Sequence, residues 1–465
     1  MLSKKIISAF EFLQNIVWGS PTIIIFLLVG IIFSIKLNFF HIKHFKHILG
    51  KTIFSVFKNK KTEKNELTPF ETLASTLSAT LGTGSIAGVS TALVTGGVGA
   101  IFWMWISAII GAAISYVENL LGMYYREKNN RGEWCGGAMY CLKNGFKNRK
   151  VALVLGNLFG FFTILASFGI GCSVQTNTVA ASLTAFGSEI SKNTLGVALA
   201  LTVFFAVAGG TKIIAKISSV LMPVMFLIYF VGTVSIILKN INLLPKIFLL
   251  IFKTAFGINP IVGGFCGSMA KKAVSFGIRR GVFSNEAGMG STVLINSSSS
   301  INSPVLQGMW GIFEVVFDTL VVCSLTAFAI LSSGVFDLNT GELLVLKNGA
   351  ELVVTAFKNV WGNYAAVLVS ISNIFFAFSS ILGWSFYGIK CTEFVLGRAY
   401  ITSYKIIFSI FAYLGTVFEL SFIWLMSDVF NGLMIIPNFI CIVLLSPVAF
   451  KLSDDYVKQN IAVEK

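Results

Sequence analysis

Leu73-Ala74-Ser75-Thr76-Leu77-Ser78-Ala79-Thr80-Leu81-Gly82-Thr83-Gly84-Ser85-Ile86-Ala87-Gly88 is an apolar run interrupted at mid-length by Gly-Thr-Gly-Ser. Glycine costs about 1 kcal/mol in a helix interior, and two glycines in three residues invite a break. A break at membrane depth leaves N–H and C=O groups unpaired. Lipid cannot satisfy them, but a substrate or cation in a buried site can. Freed N–H groups suit a carboxylate, and freed carbonyls suit a cation. A second reading stays open: Gly84 and Gly88 also form a GxxxG, the small-residue spacing of closely packed helices. A dinucleotide fingerprint is excluded. Gly82, Gly84 and Gly88 have the wrong last spacing, and a helix rather than a strand precedes them.

The rest of the chain places this run in a membrane. Of 465 residues, 55% are hydrophobic and only 12% charged, about half the charge of a soluble domain. Two or three soluble domains could not build polar shells from so few charges. An all-α integral membrane protein remains, because long apolar runs without period-two alternation exclude a barrel. Eleven spans are predicted, roughly 16–36, 67–95, 99–125, 152–184, 193–210, 217–238, 260–290, 304–333, 360–388, 402–425 and 429–450. Lys4 and Lys5 precede the first, but it has no small-residue cleavage pattern and reads as a retained span.

The sparse charge still sums to +15. A nucleic-acid partner is not implied, since the basic residues lie between spans rather than on a folded basic face. Segment 36–64 carries eight lysines against Glu63, and 126–150 carries seven basic residues. Both are expected in the cytoplasm. With eleven spans the N-terminus is then outside and the C-terminus inside. The acidic 334–359 loop fits outside, whereas 239–259, with Lys239, Lys246 and Lys253, fits less well. Ile42, Phe45, Ile48, Leu49, Ile53, Val56 and Phe57 fall at helical spacing among lysines, as in an amphipathic helix on anionic lipid. His41, His44 and His47 are expected to fan over its polar side rather than form a metal site. Seven cysteines without a CxxC pair read as small hydrophobes.

A counterpart to the first break is expected five spans later if the chain is an inverted repeat. It is found in Gly277-Ile278-Arg279-Arg280-Gly281-Val282-Phe283-Ser284-Asn285-Glu286-Ala287-Gly288-Met289-Gly290-Ser291. Paired interruptions of this kind point to a transport site. Arg279, Arg280, Glu286, Glu314 and Asp318 need partners at that depth. They read as inter-helix salt bridges or a gate at the cytoplasmic mouth rather than as substrate contacts. Gln175 and Asn177 in the fourth span, and Ser379, Ser380 and Trp384 in the ninth, are further polar candidates. Adjacent hydroxyls can help bind Na⁺, although a Ser-Ser pair alone is more often helix glue.

With these residues in place the sequence resembles the alanine/glycine:cation symporter family, the sodium:alanine symporters. The likeness runs from 67 to 450. It rests on 81–88, Gly99-Ala100-Ile101-Phe102-Trp103-Met104-Trp105, 280–291, Asp318-Thr319-Leu320-Val321-Val322-Cys323, Gly383-Trp384-Ser385-Phe386-Tyr387-Gly388 and Asn431-Gly432-Leu433-Met434-Ile435-Ile436-Pro437-Asn438. The resemblance implies a leucine-transporter-like five-plus-five inverted repeat with one extra N-terminal span. Its parts would be 1–64 (the extra span and amphipathic helix), 65–240 and 241–452 (the repeats) and 453–465 (a cytoplasmic tail). It implies that Thr80, Gly82, Thr83 and Gly84 meet the amino acid, with Gln175 hydrogen-bonding it, Trp384 walling the pocket and Thr76 also lining it. Ser379 and Ser380, with carbonyls near Thr80 and Thr83, would hold Na⁺. Ser85 stands where the family usually has Asn, which would widen the pocket or loosen a helix contact. Ala138 stands where it has Pro before Met139, a local change.

The expected function is secondary transport in a bacterial-type plasma membrane, with Na⁺ as the coupling ion and no other cofactor. Partners are a small neutral amino acid, Na⁺ and anionic lipid, with no obligate protein partner. H⁺ coupling or another small amino acid is the alternative. No GxxxxGK[ST] motif, HExxH or Ser-His pair points to a primary pump or an enzyme. The short tail after Lys451 provides no signalling domain for a sensor, and a channel would never accumulate its substrate.

Overall fold

The computed structural model describes residues 2–56, 66–185, 190–257 and 265–461. It is almost wholly helical. The first span is two helices, α1 (Leu2–Val17) and α2 (Ser20–Lys36), joined at Trp18-Gly19 with Pro21 in the first turn of α2. Two short helices follow, α3 (Phe40–Lys43) and α4 (Phe45–Lys51). Next come α5 (Pro69–Thr80), α6 (Val89–Gly96) and α7 (Ala100–Tyr124). A hairpin of β1 (Glu127–Lys128) and β2 (Trp134–Cys135) leads to α8 (Ala138–Gly145). Then follow α9 (Arg149–Phe168), α10 (Val174–Ala185), α11 (Lys192–Ala208), α12 (Gly210–Lys239) and α13 (Leu244–Ala255).

The second half begins with α14 (Phe265–Asn285) and α15 (Thr292–Asn296). It continues through α16 (Pro304–Val315), α17 (Ser324–Ser332), α18 (Gly349–Trp361), α19 (Asn363–Val395), α20 (Ile401–Val417) and α21 (Leu420–Asn460). Among the described residues, eight helices are long and apolar enough to cross a membrane, and α5 with α6 makes a ninth if the bent pair is one span. Two of the eleven expected spans fall short of that measure. Helix α11 has only 17 residues, and the seventh expected span carries Lys271, Lys272, Arg279 and Arg280 within α14 and lies partly outside the described residues. Large apolar side chains such as Phe205 (71% exposed) and Val220 (68%) line the outer face, as lipid contact requires.

The centre is packed through small residues. Helix α7 lies against α14 and α16. A Cβ on Gly308 would stand 2.8 Å from the Tyr116 ring, and one on Gly311 would stand 2.8 Å from the Ser115 carbonyl. Such close approach is available only where a side chain is missing.

Several boundaries differ from the sequence reading. The ninth span starts at Gly362, whose φ of +75° ends α18 and turns the chain into α19. The break between the last two helices is at Phe418-Glu419, not near 426–428, so Asp428 lies inside α21. That helix runs on through residue 460, and Ser453 meets the Tyr116 hydroxyl at 2.8 Å. The 239–259 segment forms α13. Lys246 reaches Asn339 at 2.7 Å and Lys239 reaches the Val360 carbonyl at 2.8 Å, so two of its three lysines serve contacts with segment 334–362.

The amphipathic segment breaks at His44 and packs on the bundle. Ile48 is fully buried, and His47 meets Tyr456 at 3.1 Å. Phe57 lies outside the described residues. His41 does not join a polar face: it is buried, and burial pushes its pKa down to about 4. Six of the seven cysteines, all but Cys266, are free and buried.

Candidate functional site

Helix α5 is set by its first turn. Thr68 accepts from the Glu71 N–H at 3.1 Å, Glu71 accepts from the Thr68 N–H at 2.9 Å, and Pro69 occupies the first helical position. This capping box fixes where the helix begins. The helix ends at Leu81, at φ −75° and ψ 56°. That is the geometry of an inverse γ-turn, and Gly82 N–H accordingly donates to the Thr80 carbonyl at 2.8 Å. A wide π-type turn, Gly84–Gly88, starts the second half. The two halves are bent by 44°, so the open choice between break and GxxxG packing resolves to a break.

Three elements close on it. Ser380 Oγ donates to the Ala79 carbonyl at 2.9 Å, and Ser379 Oγ reaches the Ser78 carbonyl at 3.5 Å and the Phe376 carbonyl at 2.9 Å. The last carbonyls of α5, unpaired by the break, thus face two hydroxyls of α19. From α10, Gln175 Oε1 accepts from the Thr83 N–H at 3.4 Å, while its Nε2 donates to the Ile170 carbonyl at 2.9 Å. Trp384 is fully buried against Gly171 and stacks edge-on with Tyr387 at 5.2 Å. Thr80 Oγ1 turns back to the Thr76 carbonyl at 3.2 Å. Two buried hydroxyls, Ser78 Oγ and Thr83 Oγ1, have no hydrogen-bond partner. Leaving a buried polar group unmade costs about 1–3 kcal/mol, which suits groups that wait for a ligand.

The second break spans 286–291. Glu286 (φ +56°), Gly288 (+83°) and Gly290 (+72°) are all left-handed. For glutamate this conformation is strained, and such strain collects at functional sites. The turn is held by buried carboxylates. Glu286 accepts from Ser291 Oγ at 2.5 Å, and Glu118 accepts from the Gly288 N–H at 3.1 Å and from Asn438. Asn296 donates to Asn119 at 2.8 Å and Glu314 at 3.0 Å, and accepts from Thr76 at 3.1 Å. Ser85 donates to Asp318 at 2.6 Å, and Ser284 donates to the same carboxylate at 3.0 Å. The two broken helices are therefore neighbours joined by hydrogen bonds. Ser85 thus takes part in the contact between the broken helices.

The model of the Sodium:alanine symporter family matches residues 3–465. The chain belongs to this family. It is 36% identical to "Sodium/alanine symporter AgcS" of Methanococcus maripaludis, covering 95% of each chain. It is 35% identical to "Probable sodium/glutamine symporter GlnT" of Bacillus subtilis, over 97% of this chain and 90% of that one. Among solved structures, a Na⁺-coupled sialic acid symporter superimposes with TM-score 0.56 at 14% identity, over 92% of this chain and 87% of the other. A manganese transporter of Eremococcus coleocola does so with TM-score 0.51 at 11% identity, over 85% and 81%. At these identities the likeness is one of fold. The protein is a multi-pass membrane transporter and not an enzyme.

Within this transporter the expected residues divide. Gly82, Thr83, Gln175, Ser379 and Ser380 meet at the first break, with Gly84 against Ser284 and Trp384 behind Gly171. Thr76 faces the second broken helix instead. Glu286 and Asp318 belong to the polar network between the breaks. Arg279 and Arg280 lie apart from them, both paired with Asp428; the Arg280 contact is 3.4 Å. Gln14 donates to the same carboxylate at 2.9 Å, and Trp18 donates to the Asp428 carbonyl at 2.7 Å. This cluster sits at the α1–α2 joint, and the lysine-rich segment follows the far end of α2. The arginines therefore are not at the mouth predicted as cytoplasmic.

That opposite mouth is closed by other residues. Leu67 pairs with Ser298 and Ser300 through backbone bonds of 3.1 and 2.9 Å. Arg126 donates to the carbonyls of Ser297, Ser299 and Ile301 and lies 3.9 Å over the Trp134 ring. Sequence reasoning missed Glu118, Asn296, Asp428 and Asn438. A buried acid at 118 within a predicted span was itself a signal. Asp428 was hidden by a span boundary drawn through it.

Proposed function

We propose that this protein is a Na⁺-coupled symporter of small neutral amino acids, alanine and glycine first, working by alternating access. The carrying observation is the broken α5–α6 span: its freed Ser78 and Ala79 carbonyls face Ser379 and Ser380, its Thr83 N–H faces Gln175, and its Ser78 and Thr83 hydroxyls are buried without a partner. Na⁺ is a hard cation that wants oxygen. Ser379 Oγ, Ser380 Oγ and the carbonyls of Ser78, Ala79 and Phe376 would supply it. The Ser78 and Ala79 carbonyls lie a step before the Thr80 and Thr83 expected from sequence. The substrate carboxylate would meet the N-terminal end of the half-helix that starts at Gly84, where N–H groups and the helix dipole favour an anion. Gln175 would contact it, and Trp384 would back the pocket. A Cβ on Gly82 would stand 2.5 Å from Ser380 Oγ, and a site this tight suits a small side chain.

The two closures, Arg279–Arg280–Asp428 at one end and Leu67–Trp134–Arg126 at the other, would open in turn. Coupling requires that the site never face both sides at once. The eleven spans would form two five-helix repeats, 65–240 and 241–452, behind the extra first span. The N-terminus would be outside and both basic segments in the cytoplasm.

Thermal denaturation of the purified protein against the twenty amino acids, with and without Na⁺, tests this reading. Alanine or glycine should raise the melting temperature, and Na⁺ should be required. Stabilisation that ignores Na⁺, or that follows only large or charged amino acids, would refute it.

A further inference from the structure

A polar cavity of about 280 Å³ lies away from both breaks, at the end of the bundle that carries the β1–β2 hairpin. It forms where the α11–α12 joint, the α19–α20 joint and the hairpin meet. Arg131, Lys212, Lys390, Arg398 and Lys405 line it, against Glu133 and Glu393. Both acids are already engaged: Asn129 donates to each at 3.1 Å, and Lys390 stands 3.8 Å from Glu133. Lys405 caps the end of α11 by donating to the Ala208 carbonyl at 3.1 Å. Lys212 and Arg398 have no ion pair among the described residues. Cations gathered this closely repel one another, and an anion between them would relieve that repulsion.

We propose that this cavity binds a phosphate group and that the bound group holds this end of the transporter shut. The chemistry favours phosphate because its several oxygens can take lysines and an arginine fork together. The position favours a phospholipid headgroup over a free ion. The cavity opens at helix ends, where headgroups lie. Below it, exposed apolar residues run along the paired helices α11 and α20: Leu201, Phe205, Ile406 and Ile410. Acyl chains would follow that face. The link to closure is Lys390, which is 5% exposed and donates to the Trp134 carbonyl at 3.3 Å. Trp134 in turn donates to Glu66, just ahead of α5, at 2.8 Å. A small second cavity shares Glu133, Thr211, Lys212 and Lys390 with the first and is walled by Leu67, Trp134 and Ser298. An anion on Lys212 and Lys390 would therefore brace the closure directly.

The test uses the whole protein, delipidated in neutral detergent. Phosphatidylglycerol, phosphatidylcholine and inorganic phosphate are added separately to wild type, to K212Q/R398Q and to the equal-charge control K147Q/K150Q. Phosphatidylglycerol should raise the melting temperature of wild type and control by about 2–4 °C, with the cavity variant unresponsive. Inorganic phosphate giving the same cavity-dependent rise would uphold the site with a soluble source. Phosphatidylcholine also carries a phosphate, but the five cationic side chains would repel its choline, so equal effects of the two lipids, or an equal response in the cavity variant, would overturn it. A readout in wild type alone guards against misfolding: Cys135 is buried with its sulfur 3.5 Å from Lys390 Nζ. Its maleimide alkylation should slow at least about threefold with phosphatidylglycerol, about 0.7 kcal/mol of added closure. The closure half rests on the alternating-access reading. A thermal response with unchanged Cys135 alkylation would overturn that half alone.

Discussion

Ser379 and Ser380 spend their hydroxyls on carbonyls that an unbroken α5 would have used itself. If those oxygens are the ion ligands, removing both hydroxyls should raise the half-saturating Na⁺ concentration roughly tenfold or more, a loss of at least about 1.4 kcal/mol. Uptake by S379A/S380A in proteoliposomes at graded Na⁺ measures it, and an unchanged Na⁺ dependence would remove these serines from the site. Gly82→Ala should abolish uptake in folded protein, because its Cβ would stand 2.8 Å from the Ser380 Cβ and 2.5 Å from its hydroxyl, an overpacking cost of ~1–3 kcal/mol. Asp428→Asn leaves Arg279 and Arg280 buried without a counter-charge. It should destabilise the protein by ~3–5 kcal/mol, read as a fall in melting temperature. Gly82, Ser379 and Ser380 were legible in sequence because glycine and paired hydroxyls stand out in an apolar run. Asp428 was not, because its role depends on arginines almost 150 positions away.

Both interrupted spans could be read from their glycines, and the structure joins them through Ser85, Ser284 and Asp318 and through Thr76 and Asn296. The remaining boundaries were harder. The joints at Trp18-Gly19 and Phe418-Glu419 interrupt runs whose hydropathy continues on both sides, and only Gly19-Ser20-Pro21 and the lone charge of Glu419 mark them. The glycines of α16 show a further demand at this level. Gly308→Val would drive a side chain into the Tyr116 ring and its carbonyl, 2.8 and 3.0 Å from the new Cβ. It should separate α7 from α16 and lower thermal stability by ~1–3 kcal/mol, whereas Gly362→Ala at the α18–α19 turn should act through its positive φ alone.

Across the whole molecule, the two breaks lie between closures at opposite ends, one ionic and one of backbone bonds and a stacked tryptophan. Contacts at both ends that could open in turn are what the proposed alternating access needs. The family likeness shows a transporter and the hydropathy a multi-pass membrane protein, but the charge pattern did not say which residues gather at which end. The arginine pair was expected in inter-helix salt bridges or at the lysine-rich mouth; it forms the salt bridges, with Asp428, at the other end. The central claim is that Na⁺ moving down its gradient carries a small neutral amino acid with it. Alanine uptake into proteoliposomes under an inward Na⁺ gradient tests it most directly. Accumulation above the external concentration, lost when the Na⁺ gradient is collapsed, is the predicted result. Equilibration without accumulation, or accumulation driven by an acid-outside gradient in Na⁺-free buffer, would contradict it.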